Sequence, residues 1–93
     1  MGQKMAEEFE SVFDAIADSP GESLNMKLRT TLMHEIRIRV TAAGWTQKKT
    51  AQRLGITQPR VSDLLRGKLS KFSLDALVNM LARLGSEVEL RVA

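Results

Sequence analysis

The chain has 93 residues, 43% of them hydrophobic and only 4% aromatic, which fits one domain with an all-helical core of Leu, Val, Ile, Met and Ala. It has no Cys and a single His, so a disulfide framework, a thiol nucleophile and a Cys-based metal site are excluded, and no cofactor is expected. The net charge of +3 hides an asymmetry: residues 46–71 carry seven basic residues against Asp63 alone, a net +6, while residues 1–26 carry Lys4 against six acidic residues, a net −5. No apolar run approaches the ~20 residues that cross a bilayer. The first residues, MGQKMAEEFE, are acidic where a secretory signal would be basic. The expectation is a cytoplasmic protein with no membrane partner.

Met5, Phe9, Val12, Phe13 and Ile16 recur at helical spacing, which predicts an amphipathic helix over 4–18 with an acidic opposite face. A helix this short is marginal alone. Its apolar stripe therefore either packs on its own domain or binds a partner. Ser19-Pro20-Gly21-Glu22 is a capping-box signature with Pro at the first helical position. The helix it starts runs to Ala43, with Leu24, Leu28, Leu32, Ile36 and Val40 four apart down one side, joined by Met33, and Gly44 as its end. His34 lies off that stripe and reads as a surface or boundary residue. Trp45 reads as a hydrophobic staple or core plug rather than a stacking platform.

Residues 46–68, TQKKTAQRLGITQPRVSDLLRGK, predict two short helices around a glycine turn. Thr46 is placed to cap the first, whose inward face is Ala51 and Leu54 and whose end is Gly55. Thr57 is placed to cap the second, with Pro59 in its first turn, where a missing N–H costs little. Val61, Leu64 and Leu65 form the second helix's apolar face, and Gly67 closes it. A small residue in the first helix, a glycine at the turn and a branched residue in the second let the two cross closely. This is the pattern of a helix-turn-helix, whose second helix enters the DNA major groove. The positive charge coincides with the motif, which favours a phosphate footprint over an ordinary solvated face.

After Gly67, Lys-Leu-Ser-Lys-Phe reads as a loop near the DNA backbone. Ser73 caps a further helix with Asp75 in its first turn. Leu74, Leu77, Val78, Leu81 and Leu84 are its expected buried face, and Gly85 its end. The period then changes. Val88, Leu90 and Val92 alternate with Glu87, Glu89 and Arg91, which predicts one strand. A lone strand leaves its backbone groups unmet, and pairing with the same strand of a second copy across a two-fold axis would satisfy them.

The motif resembles the Xre/Cro-type helix-turn-helix of bacterial and phage repressors. The wider run from Asn25 through Val92, including TQPRVSDLLRGK and FSLDALVNMLARLG, resembles a subgroup of small Xre proteins that includes antitoxins of the host-inhibition-of-growth type. The resemblance implies an all-α, lambda-repressor-like bundle of about five helices, with one C-terminal β-strand pairing across a dimer. The organisation expected is an acidic N-terminal helix at 1–18, a DNA-binding domain at 19–86 with its motif at 46–67, and a dimerisation strand at 87–93 carrying Val88, Leu90 and Val92.

In repressors of this type the position matching Gln58 often contacts a base or phosphate, and those matching Pro59 and Asp63 often face the groove. The Gln58 amide both donates and accepts, matching adenine N6 and N7. Pro59 offers an apolar contact, such as a thymine methyl, where glutamine-rich versions offer a polar one. Arg60 reads guanine or holds a phosphate, and the residues do not decide which. Ser62 is short enough to sit against the groove floor. Asp63 accepts from cytosine N4 or orients Arg60 or Arg66. Thr46, Gln47, Lys48, Lys49, Thr57, Arg66 and Lys68 are the expected phosphate contacts, the first two at a helix N-terminus that already favours anions.

The leading function on this basis is a homodimeric transcriptional repressor of a palindromic double-stranded DNA operator. The resemblance implies an antitoxin that autoregulates a type II toxin–antitoxin operon and binds a small basic toxin. The alternative is a protein-interaction module that neutralises a partner and uses the helix-turn-helix as scaffold. Nothing resembles a nucleophile–base pair, a phosphate-cradling glycine loop or a metal cluster, so an enzyme is not expected.

Overall fold

Pro20 opens a long helix, α1 (Pro20–Ala43), in a computed structural model that describes residues 20–93. It is followed by α2 (Gln47–Leu54), α3 (Gln58–Leu65), a 3-10 turn (Leu69–Lys71) and α4 (Leu74–Arg83). The helix expected at 4–18 and the capping residue Ser19 lie outside the described residues. The other helices fall where residue spacing and caps place them.

The core forms where the C-terminal half of α1 meets α4 and the α2–α3 pair. Met33, Ile36 and Val40 of α1, Leu54 of α2, Leu64 of α3 and Leu77, Met80 and Leu81 of α4 are buried together with Phe72. Ala51 and Val61 are also buried, which lets α2 and α3 approach closely. The stripe expected along all of α1 is buried only in part. Leu24, Leu28 and Leu32 are half-buried, because the deepest packing begins at Met33. On α4, Met80 takes a core place not expected of it, while Leu74, Val78 and Leu84 sit at the boundary.

Two glycines shape the motif. Gly55 ends α2 at φ 71, and the N–H groups of Gly55 and Ile56 both turn back to the Ala51 carbonyl. Gly67 follows α3 at φ 73, with Arg66, Gly67 and Lys68 N–H groups satisfying the Ser62, Leu64 and Asp63 carbonyls. Both positions occupy the left-handed region that Cβ-bearing residues avoid. Thr46 caps α2 as expected, its hydroxyl accepting from Lys49 N–H at 3.1 Å. Thr57 does not. It occupies the N-cap position of α3, but its side chain makes no capping bond. Pro59, the second residue of the helix, has no N–H to offer, and the Arg60 N–H, the counterpart of the Lys49 N–H that Thr46 accepts from, does not bond its side chain either.

The segment 68–72 is not a plain loop. Leu69–Lys71 form a 3-10 turn that drives Phe72 into the core, where it is 1% exposed. The expected strand at 87–92 does not form within the single chain: residues 86–93 are neither helix nor strand. Val88, Leu90 and Val92 are 41, 68 and 79% exposed. No other described segment is a strand, so nothing among the described residues pairs with 87–92.

Candidate nucleic-acid interface

The burial pattern of α3 decides which side chains are available to a ligand. Residues four apart on a helix share a row. The rows 60–64 and 61–65 turn inward: Val61 and Leu64 are fully buried, and Arg60 and Leu65 are half-buried. The rows 58–62–66 and 59–63 turn outward, presenting Gln58, Ser62 and Arg66 beside Pro59 and Asp63. Gln58, Pro59 and Arg66 are exposed, and Ser62 and Asp63 half-buried.

The flanks of this face are basic and polar. Thr46, Gln47, Lys48 and Lys49 are exposed around the N-terminus of α2, where unpaired backbone N–H groups and the helix dipole favour an anion. Thr57 is exposed at the start of α3, its hydroxyl not committed to capping. Lys68 and Lys71 are exposed beyond its end. A convex helix of mixed hydrogen-bonding character, flanked by cations on both sides, suits a groove lined by phosphates.

A helix-turn-helix domain family matches residues 15–93, nearly the whole chain. A solved chain described as an XRE-family transcriptional regulator is 32% identical, with a TM-score of 0.69 over 74% of this chain and 78% of the other. Among proteins of curated function, none matches. The protein belongs to the XRE helix-turn-helix family.

Within this XRE-family DNA-binding regulator, α2 and α3 are the two helices of the motif, and α3 is the recognition helix. The geometry separates the expected base-contacting residues. Gln58, Pro59, Ser62 and Asp63 lie on the outward rows. Arg60 does not: its guanidinium lies over the Phe72 ring, 4.7 Å from the centroid, and donates from Nη2 to the Lys71 carbonyl at 3.2 Å. Asp63 orients neither Arg60 nor Arg66 but pairs with Lys68, Oδ1 to Nζ at 3.5 Å. That pair draws Lys68 back toward the helix end. Its energetic worth at the surface is small, so a phosphate can compete for the lysine.

Of the two roles expected for Trp45, the core plug is not met: it is half-buried, with the Arg53 guanidinium 5.3 Å from its ring centroid. His34 is exposed, as its place off the stripe implies.

The places of three arginines around the motif and the turn after it were not legible in the sequence. Arg83 of α4 donates from Nε to the Arg53 carbonyl at 3.1 Å, meeting the C-terminal end of α2. Arg29 of α1 donates from Nη1 to the Leu69 and Phe72 carbonyls at 3.2 and 3.4 Å, while its Nε bonds Asn25 Oδ1 at 2.7 Å. Arg37 of α1 brings Nη1 to where a Cβ on Gly67 would lie only 3.2 Å away. Among the described residues, no helix is long and apolar enough to cross a membrane.

Proposed function

We propose that the protein is a homodimeric repressor that reads a palindromic operator through α3. The observation that carries this reading is the outward face of α3, where Gln58, Pro59, Ser62 and Asp63 form a compact base-sized surface bounded by Arg66 and Lys68. Gln58 stands at the start of the helix and pairs with an adenine edge. Pro59 packs on a thymine methyl, and Ser62 lets the helix sit deep. Thr46, Gln47, Lys48, Lys49, Thr57, Arg66 and Lys68 hold phosphates and set the register.

Two copies supply two recognition helices for successive half-sites. The exposed Val88, Leu90 and Val92 support a seam at 87–92, where an antiparallel ribbon would satisfy both the apolar stripe and the backbone groups. The resemblance of Asn25–Val92 to small Xre antitoxins supports a toxin–antitoxin operon as the setting, with a small basic toxin as the second partner.

Selection of bound duplexes from a random library tests the reading. A palindromic consensus, shifted by the dimer at nanomolar protein, is the expected result. Selection without enrichment would favour the interaction-module alternative, in which the motif is scaffold. Sequencing the neighbouring gene and testing co-purification with its product tests the antitoxin setting separately.

A further inference from the structure

We infer that Arg60 and Arg29 are positioning residues that preset the Lys68–Lys71 turn as a phosphate-binding element, and that Arg60 reads no base. The inference rests on the DNA-binding reading and deepens it.

The turn is intrinsically weak. A 3-10 segment of three residues has few internal bonds, here Lys71 N–H to the Lys68 carbonyl and Phe72 N–H to the Leu69 carbonyl, each 3.1 Å. Yet it carries the exposed Lys68, Ser70 and Lys71 immediately beyond the recognition helix. Left alone, it would have to order itself each time DNA bound, and that entropy would subtract from affinity.

Two guanidinium groups, from α1 and α3, remove this freedom. Arg29 holds the Leu69 and Phe72 carbonyls, and Arg60 holds the Lys71 carbonyl. Three backbone acceptors of one short segment are thus occupied by side chains from α1 and α3. Phe72, buried beneath, is the ring over which the Arg60 guanidinium sits, 4.7 Å from its centroid. Planarity matters for this arrangement, because one group must stack on a ring and donate in its own plane. Arg60 shares its helix row with buried Leu64, so a reach into the groove would forfeit both contacts.

The test uses the full chain. Arg60→Ala, Arg60→Lys, Lys71→Ala and the double variant of Arg60→Ala with Lys71→Ala are titrated against a selected duplex and a scrambled one. Amide exchange of the free proteins is followed in parallel. Lys71→Ala should weaken both duplexes about equally, by roughly tenfold, and lower the salt slope by about 1 per protomer. Arg60→Ala should act alike on both duplexes and cost several-fold less once Lys71 is gone, the sign of coupling. Arg60→Lys keeps the charge and should not restore binding. In the free protein, exchange of the Lys71 and Phe72 amides should accelerate in Arg60→Ala and in Arg29→Lys.

Additive losses, or rescue by lysine, would make Arg60 a direct phosphate contact and overturn the inference. A loss confined to the selected duplex would make it a base reader, with the same consequence. Unchanged amide exchange would show that the turn needs no clamp. Failure of the wild type to bind any duplex would instead overturn the DNA reading. The exchange arm still reports on the clamp in that event, so the two failures are distinct.

Discussion

Arg83 and Arg53 are joined across the domain: the Arg83 Nε donates to the Arg53 backbone carbonyl at 3.1 Å. This places a cation at the C-terminal end of α2, where it meets both an unsatisfied carbonyl and the negative end of the helix dipole. The same guanidinium lies against Gly55, so a Cβ there would approach Arg83 Cζ to 2.9 Å. One contact therefore ties α2 to α4, while the positive φ of 71 at Gly55 favours glycine at the turn into α3.

Gly55→Ala should destabilise the domain by about 1–2 kcal/mol, the cost of a Cβ in the left-handed region. Arg83 has to move as well. Arg83→Met should cost about 1 kcal/mol through the lost hydrogen bond. Urea unfolding measures both. The two effects should be less than additive, since the residues share one contact.

Phe72→Ala should destabilise by about 3–5 kcal/mol, as for other fully buried aromatics. It should also release Arg60, which loses the ring beneath it. A thermal melt gives the first effect. Faster exchange of the Lys71 amide in urea-free buffer gives the second.

Leu90→Arg should turn the dimer into a monomer in sedimentation and abolish tight binding to a palindrome, because each half-site supplies only part of the contacts. Leu90 is 68% exposed in the single chain, so the substitution should leave the monomer's stability nearly unchanged. A dimer with unaltered operator affinity would move the seam onto the helices.

Binding should be strongly salt-dependent. If a dimer neutralises about six phosphates, the log–log slope should be near −5. Lys48→Ala should weaken cognate and scrambled DNA alike and make the slope shallower by about 1 per protomer.

Much of this was legible in the sequence because it is local. The helix from Pro20 to Ala43, the Thr46 cap, the glycine ends of α2 and α3 and the inward Ala51, Leu54, Val61 and Leu64 all follow from periodicity and capping chemistry. What was not legible is long-range. Arg29 meets the Leu69 carbonyl 40 positions away, and Arg83 meets that of Arg53 30 positions away. No spacing rule reports such pairs. Arg60 reads from the sequence as a base or phosphate contact because it is cationic and sits in the second helix of the motif. Its contacts with the Phe72 ring and the Lys71 carbonyl had no sequence signal. Phe72 itself had no periodic neighbours to mark it as core. The alternation at 87–92 is a clear pattern, but a strand exists only with a partner, and no described segment of the chain offers one.

If the outward face of α3 reads bases, Gln58→Ala must lose affinity for the operator alone. Affinities of the wild type and this variant are measured on the selected duplex, on its single-base variants and on scrambled DNA at fixed salt. The expected result is a loss of about 1–3 kcal/mol on the selected duplex, relaxed discrimination at one base pair per half-site, and little change on scrambled DNA. Equal losses on selected and scrambled DNA would contradict it and reduce Gln58 to a backbone contact.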